Sequence, residues 1–238
     1  FLGGINFALH FQLVRRNFSV VFKNPEFRTY CILILVGVLF ATWGLTRVSE
    51  TGDAGQAFRS AAFTVVSINT TTGFVTDDFN LWPEYLKLFL IAIMMIGGCS
   101  GSTSGSFKVI RIIILLKIIM RELKNLIYPR AIFHVKVGDK TVDADDLSNV
   151  AALTFMFMGF TALGGILLSA MGVDFTTALS ATVASIFNIG PGLGGVGAMG
   201  NYSSIPAMGK GILIFFMLLG RLEIYGVILL FLPMTWRK

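Results

Sequence analysis

The sequence predicts an all-α integral membrane protein made of repeated units, each with a long helix, a short re-entrant helix and its loop, and a second long helix. Of its 238 residues, 55% are hydrophobic and only 13% are charged, whereas a soluble domain carries roughly 25% charged residues. Four apolar stretches approach the ~20 residues that cross a bilayer, and the order of long and short stretches occurs twice. This composition excludes an ordinary water-soluble enzyme.

The apolar stretches define the expected elements in order. Two runs of 12 residues are too short to cross the bilayer, so we expect them to be re-entrant helices. Asp53 and Asp174 precede these runs at the positions of N-caps. The expected spans are 30–48, 83–120 with an interruption, 150–173 and 206–231, and the short runs are 57–68 and 176–187.

Span, short run and span occur twice, which is an internal repeat. A shift of 119 positions matches Gly73 with Gly192, and a shift of 123 positions then matches Pro83 with Pro206. Repeats of this kind are common in transport proteins and place the functional site at the shared axis. The expected divisions are 1–29 as the end of a preceding repeat and a cytoplasmic linker, 30–129 as one repeat, 130–148 as a second cytoplasmic linker, and 149–238 as the next repeat.

Basic residues predict the orientation in the membrane. Fourteen of the 19 Lys and Arg residues lie on one side of the spans, among them Arg237 and Lys238 at the end of the chain. By the positive-inside rule this side is cytoplasmic, so both short runs enter from the outside. The polar stretch 130–148 is then a linker, since it is too short for an independent domain.

Several functional classes are excluded by what the sequence lacks. The formal charge of +6 does not form a basic stripe on a soluble face, so no nucleic-acid partner is expected. No metal motif, Walker sequence or paired His and carboxylate indicates an enzyme or an organic cofactor. Gly190, Gly192 and Gly195 fit the dinucleotide spacing G-x-G-x-x-G, but no acidic residue occurs between Asp174 and Glu223 to bind a ribose.

A polar or glycine-rich loop follows each short helix and is the candidate cation site. The C-terminal end of a helix carries a negative partial charge of about half an electron, which favours a cation there. Extended backbone can replace hydration water with its carbonyls, and Gly73 and Gly192 would permit the φ values of such a turn. The alternative is that both are only loops between hydrophobic helices. The candidate binding residues are Asn69, Thr70, Thr71, Thr72, Gly73, Asn188, Ile189, Gly190, Pro191 and Gly192, with the carbonyls of Thr71, Thr72, Ile189 and Gly190 as the ligands.

The second span is interrupted by a segment that is poor in helix-forming residues. Residues 97–106 contain four glycines and four serines, and non-helical backbone at membrane depth requires protein or a watery cavity around it. The alternative is a kinked helix packed through small residues. The segment consists of Gly97, Gly98, Cys99, Ser100, Gly101, Ser102, Thr103, Ser104, Gly105 and Ser106.

Arg221 is a charge in the middle of the last expected span. It lies 15 residues after Pro206, as Gly98 lies 15 residues after Pro83, so both are expected at one depth along a shared axis. A guanidinium there could hold the interruption through its carbonyls. Glu223 is too far around the helix to pair with it. The alternative is a structural charge that faces a neighbouring helix.

The sequence resembles the TrkH family, the membrane subunits of bacterial Trk potassium uptake systems within the Trk/Ktr/HKT superfamily. The resemblance covers essentially the whole chain. It rests on the combination of residues 67–74 (Ser-Ile-Asn-Thr-Thr-Thr-Gly-Phe), 96–105 (Ile-Gly-Gly-Cys-Ser-Gly-Ser-Thr-Ser-Gly) and 188–194 (Asn-Ile-Gly-Pro-Gly-Leu-Gly).

That resemblance implies four repeats of helix, pore loop and helix around one potassium pathway, of which this chain holds the third and fourth. It implies K⁺ as the transported ion, a filter at the two loops, and a gate at 97–105. It also implies a multi-pass protein of the bacterial inner membrane, a homodimer, and a cytosolic nucleotide-binding regulator of the TrkA type. The remainder of the same polypeptide or another chain would complete the pore, and the basic face could bind anionic membrane lipid.

The sequence therefore predicts potassium uptake through a carbonyl-lined filter that an intramembrane loop gates. A cation-coupled secondary transporter for a small organic solute, with broken helices at the midplane, is the alternative. A structural or receptor subunit is a third possibility, but it would leave both glycine turns unexplained.

Overall fold

The computed structural model describes residues 1–48, 53–131, 133–138, 140–231 and 233–236, and it is almost entirely helical. Arg237 and Lys238, which contribute to the predicted charge bias, lie outside the described residues. The helices are α1 Phe7–Val14, α2 Phe18–Lys23, α3 Pro25–Val48, α4 Ala54–Asn69, α5 Glu84–Met95, α6 Val109–Ile127, α7 Ala144–Ala170, α8 Phe175–Ile186, α9 Ala207–Arg221, α10 Tyr225–Phe231 and α11 Pro233–Trp236; the strands are β1 Lys136–Val137 and β2 Lys140–Thr141.

Within the part of the chain that the structure describes, two helices, α3 and α7, are by length and hydropathy able to cross a membrane. The predicted span 206–231 is not one helix. It consists of α9 and α10, which are bent by 116° at a short break, and Glu223 within the break has a φ of +53°. The prediction of an unbroken fourth span is therefore wrong, since a positive φ cannot continue a right-handed helix.

The two short helices α4 and α8 form as predicted, with slightly different ends. The Asp53 carboxylate accepts hydrogen bonds from the N–H groups of Gly55 and Gln56, and the Asp174 carboxylate accepts one from Thr177. Both predicted N-caps are confirmed. Helix α4 packs on α3, and α8 packs on α7 and α9. Small residues allow α8 to be enclosed by its neighbours, and nine of its 12 residues are buried.

The interruption at 97–106 is a loop and not a kinked helix. Helix α5 ends at Met95 and α6 begins at Val109, and an isolated parallel bridge pairs Ile96 with Phe107 at the base of the loop. The loop also touches the start of the chain, where the Cys99 N–H donates to the Gly4 carbonyl at 2.7 Å. The alternative of a helix kinked at small residues is thus excluded.

The predicted linker at 130–148 is short and partly ordered. Its two-residue strands pair in antiparallel register, with Lys136 opposite Thr141, and α7 begins inside it at Ala144. Val135 and Leu147 pack with Ile114 of α6 in a small separate cluster. This contact fixes the linker against α6 without a core of its own.

Candidate ion pathway

The loops after α4 and α8 begin with the same turn. Thr71 and Asn188 have left-handed φ values of 54° and 57°. The next residue in each loop donates its N–H to a carbonyl five positions earlier, from Thr72 to Ser67 and from Ile189 to Ala184. This is the Schellman ending of a helix. Thr71 therefore corresponds to Asn188, a shift of 117 positions.

This shift corrects the predicted alignment of the glycines. Gly73 corresponds to Gly190, and both have a positive φ, of 76° and 110°. Gly192 is outside the left-handed region, so the prediction that it supplies the special φ is wrong. The sequence shift of 119 failed because identical residues in the two loops do not occupy equivalent places after the helix ends.

The two loops approach each other at their glycines. A Cβ atom on Gly73 would lie 2.3 Å from the Ile189 carbonyl oxygen, whereas a Cβ atom on Gly190 would meet nothing within 4 Å. Within the described parts of the chain, the carbonyls of Thr71, Thr72, Gly73 and Ile189 accept no hydrogen bond. Unpaired carbonyls next to two helix C-termini form an environment suited to a dehydrated cation.

Hydroxyl groups hold other parts of these loops. The Ser67 hydroxyl donates to the Phe74 carbonyl at 2.6 Å, and the Thr70 and Thr72 hydroxyls lie 2.8 Å apart. In the second loop the Tyr202 hydroxyl donates to the Gly190 carbonyl at 2.6 Å. Of the four predicted carbonyl ligands, only that of Gly190 is thus engaged by a side chain.

The two predicted asparagines turn their side chains toward the protein. The Asn69 amide donates to the Ile96 carbonyl at 2.8 Å, and the Asn188 amide donates to the Met217 carbonyl at 3.3 Å. These bonds tie each loop to the second long helix of its own repeat. Pro191 and Gly192 lie beyond the glycine turn, and a Cβ atom on Gly192 would meet Val196.

The glycine-serine loop lies directly against the ends of both short helices. The Gly105 N–H donates to the Thr71 hydroxyl at 2.9 Å. The Ser106 N–H and hydroxyl both donate to the Phe187 carbonyl, at 3.1 and 3.0 Å, and the Ser104 hydroxyl donates to the Asn69 carbonyl at 3.4 Å. The loop therefore occupies carbonyls at the C-terminal ends of α4 and α8.

Arg221 lies at the end of α9 and reaches the loop from the other side. Its guanidinium donates to the Thr103 carbonyl at 3.2 Å. Glu223 pairs with Arg111 of α6 at 2.8 Å, in keeping with the expectation that it would not pair with Arg221. A polar cavity of about 260 Å³ lies between the loop and these side chains; its lining includes Ser100–Ser106, Lys108, Arg111, Phe157, Gly220, Arg221 and Glu223.

Glu26 is a residue of this site that the sequence reasoning missed. It is 8% exposed, and one carboxylate oxygen accepts the Ser100 N–H at 2.6 Å and the Ile110 N–H at 3.2 Å. It therefore joins the loop to the first turn of α6. The sequence carries no signal for it, because a carboxylate in the first turn of a helix is ordinarily favourable and common.

Comparison with known proteins decides the family. The family described as TrkH, cation transport protein, matches residues 1–238. The chain belongs to the TrkH family. The "Trk system potassium uptake protein TrkH" of Halomonas elongata is 40% identical over 240 residues, covering 100% of this chain and 49% of that protein. The protein of the same name from Escherichia coli (strain K12) is 37% identical, again over 100% of this chain and 49% of its own length.

A solved structure of the TrkH family shares the fold. The crystal structure of the potassium transporter TrkH from Vibrio parahaemolyticus superimposes with a TM-score of 0.91 at 34% identity, covering 99% of this chain and 51% of that one. The chain thus spans about half the length of the TrkH relatives it matches. The predicted fold class, an all-helical membrane protein of this family, is confirmed.

Proposed function

We propose that this chain forms the third and fourth pore repeats of a potassium uptake protein, with the boundaries 30–129 and 149–238. The unpaired carbonyls where the loops after α4 and α8 meet carry this proposal. Two such repeats form half of a ring, and the chain spans about half the length of its relatives. K⁺ is the transported substrate and moves down its electrochemical gradient.

The filter comprises the loop residues 69–73 and 188–192. Within it, the carbonyls of Thr71, Thr72 and Ile189 are the ligands that the geometry favours, because they are unpaired and lie beyond the helix ends. The Gly73 carbonyl joins them for the same reason. The Gly190 carbonyl is also a ligand, since a carbonyl oxygen that accepts the Tyr202 hydroxyl has a second lone pair for the ion. A ring of carbonyls replaces the hydration shell of K⁺ without a charged side chain.

The gate comprises the loop 97–105 and Arg221. Support comes from the hydrogen bonds of Gly105 with Thr71 and of Arg221 with Thr103. A loop in this position obstructs the inner end of the filter, and the positive guanidinium repels a cation that approaches it. Movement of the loop opens the pathway from the cytoplasmic side.

The complete assembly contains more than these two repeats. The remaining repeats of the same polypeptide or of another chain close the ring, and the assembly is a homodimer of multi-pass subunits in the bacterial inner membrane. A nucleotide-binding regulator of the TrkA type contacts its cytoplasmic face, on which the linkers 1–29 and 130–148 lie. Basic residues of that face bind anionic lipid.

Glycine substitutions in the assembled protein test the filter. Gly73→Ala and Gly190→Ala each place a Cβ at a positive φ and should lower the preference for K⁺ over Na⁺ in liposome flux assays at normal expression. Gly159→Ala is the matched control, because that glycine of α7 has nothing within 4 Å of its Cβ position and no positive φ. An unchanged K⁺ preference in both loop variants, or solute-coupled flux in place of ion flux, would contradict the filter.

Arg221→Ala and deletion of 98–105 test the gate. Each should raise Rb⁺ uptake, and the combined variant should gain less than the sum of the two effects because both act on one obstruction. Arg121→Ala serves as the control, since its ion pair with Glu122 is at the surface. Rb⁺ uptake at the wild-type rate in Arg221→Ala would show that this residue has only a structural role.

A further inference from the structure

Tyr202 is a side chain outside both loops that acts on the filter. It begins the short 3₁₀ turn Tyr202–Ser204 that precedes α9, and its hydroxyl donates to the Gly190 carbonyl at 2.6 Å. Burial raises the pKa of Tyr202 to about 12, while the neighbouring Ser185 hydroxyl opposes the shift. The phenol therefore stays protonated and remains a donor over the physiological range.

Among its described residues, the first repeat has no such donor to the Gly73 carbonyl. The 3₁₀ turn Phe79–Leu81 precedes α5 as Tyr202–Ser204 precedes α9, which places Phe79 opposite Tyr202 at the shift of 123. Ser185 lies three residues before the left-handed Asn188, and Ile68 lies three residues before the left-handed Thr71, so these two positions also correspond. Phe79 and Ile68 are 0% and 1% exposed and belong to the same apolar cluster.

The connection that carries Tyr202 is also longer and more firmly held. Between the end of the short helix and the start of the next long helix, the second repeat has six more residues than the first. The shift between equivalent residues accordingly rises from 117 at Asn188 to 123 at Pro206. Asn80 of the first repeat forms two hydrogen bonds with Gly194 of this connection, at 3.1 and 2.9 Å. The Thr177 hydroxyl accepts the Gly195 N–H at 2.8 Å. These hydrogen bonds hold in place the connection that carries Tyr202.

We infer that Tyr202 is a positioning residue for ion selectivity, which fixes the Gly190 carbonyl so that it cannot follow a smaller ion inward. This inference rests on the proposed filter. A carbonyl held by an outside donor keeps one orientation and one distance from the axis, whereas a free carbonyl can collapse onto Na⁺. The equivalent Gly73 carbonyl is free, so the two repeats contribute one fixed and one mobile oxygen at this level.

Tyr202→Phe removes the donor and little else. In the assembled protein reconstituted in liposomes, the K⁺ to Na⁺ flux ratio should fall by on the order of two- to tenfold, the factor that corresponds to one net hydrogen bond. Tyr85→Phe is the matched control, because the Tyr85 hydroxyl donates at 3.3 Å to the Gly44 carbonyl within α3, away from the loops. It should leave the ratio unchanged.

A second variant covers the case in which Tyr202→Phe fails to accumulate. A 3-fluorotyrosine at position 202 retains the hydroxyl and makes it a stronger donor, so the flux ratio should equal or exceed that of the wild type. A fall in the ratio with fluorotyrosine, or a wild-type ratio in Tyr202→Phe, overturns the role of Tyr202.

The glycine variants distinguish this result from a failure of the filter itself. Where Gly190→Ala lowers the ratio and Tyr202→Phe does not, the filter stands and the role of Tyr202 is refuted. Where neither Gly73→Ala nor Gly190→Ala changes the ratio, the filter and the role of Tyr202 fall together.

Discussion

At the scale of single residues, hydroxyl groups join the proposed filter loops to the rest of the protein. Thr71 shows this most clearly, because its backbone turns the chain at a left-handed φ of 54° while its side chain accepts the Gly105 N–H. One residue thus ends α4 and contacts the proposed gate. This bond is therefore one route by which a change in the loop can reach the proposed filter.

Thr71→Val should weaken the closed position of the loop. Valine has the same shape as threonine and lacks the acceptor, so the Gly105 N–H loses its partner, at a cost of about 1–3 kcal/mol if the group stays buried. We expect faster basal Rb⁺ uptake in liposomes. Thr71→Ser retains the hydroxyl and should behave as wild type. Equal uptake by the valine and serine variants would show that the bond does not restrain the loop.

At the scale of the elements, the proposed filter and gate lie at the ends of helices and not along their middles. The carboxylates of Asp174 and Glu26 each satisfy backbone N–H groups at a helix start, one at α8 and the other at α6. The first lies at the start of the short helix α8, and the second lies beside the glycine-serine loop. Substitution of either carboxylate should therefore lower the stability of the helix start that it contacts.

The Asp174 cap should make the start of α8 sensitive to acid. Hydrogen bonds with Thr177 hold the pKa of this carboxyl below its ordinary value of 3.8, so the cap is fully effective above that pH. Its contribution is lost as the pH falls through the lower, folded-state value. Asp174→Ala should cost about 1 kcal/mol at neutral pH, and Asp174→Asn should retain the cap without the acid sensitivity. Hydrogen exchange at 175–178 between pH 6 and pH 3 measures both.

Glu26→Ala should loosen the loop and the first turn of α6 together. Two N–H groups lose their acceptor in a buried place, which lowers the thermal unfolding temperature and raises basal Rb⁺ uptake. Glu84→Ala is the control, since Glu84 has an 89% exposed side chain in its pair with Lys87. A lower unfolding temperature with unchanged uptake would limit Glu26 to a structural role.

Local sequence signals predicted the elements well and the joints between them poorly. The Asp53 and Asp174 caps and the glycine-serine loop follow from residue type and hydropathy alone. The break after Arg221 does not, because Leu222 and Ile224 are as apolar as any span. The turn is closed by the backbone, where the Ile224 N–H donates to the Leu219 carbonyl around left-handed Glu223, and no glycine marks that position. The left-handed φ was assigned to Gly192 and not to Gly190 for a similar reason, since matching identical residues between the repeats does not locate the end of a helix.

At the scale of the whole molecule, the chain presents large apolar surfaces. Helix α3 exposes Ile32, Leu35, Val36 and Leu39, as a helix does that faces lipid or a neighbouring repeat. Such a surface fits a chain that is one part of a ring. By the positive-inside rule, the charge bias of the sequence predicts which end of the proposed ring faces the cytoplasm.

Cysteine labelling tests this orientation. A membrane-impermeant maleimide should label Thr76→Cys, in the loop after α4, from outside intact spheroplasts, and it should label His134→Cys, in the linker, only after permeabilisation. Both positions are exposed. The unmodified protein is the control for Cys31 and Cys99, which are half-buried and buried. Labelling of His134→Cys in intact cells would reverse the proposed orientation.

Because α9 and α10 are bent by 116° relative to each other, a rotation of one helix displaces the far end of the other. Helix α10 has seven residues and is about 10 Å long at 1.5 Å per residue, so a rotation of α9 by about 10° about its own axis sweeps the far end of α10 sideways by roughly 1.6 Å. The fulcrum is Arg221, whose guanidinium contacts the Thr103 carbonyl. A sideways push on the exposed end of α10 therefore applies a torque at Arg221, which contacts the loop.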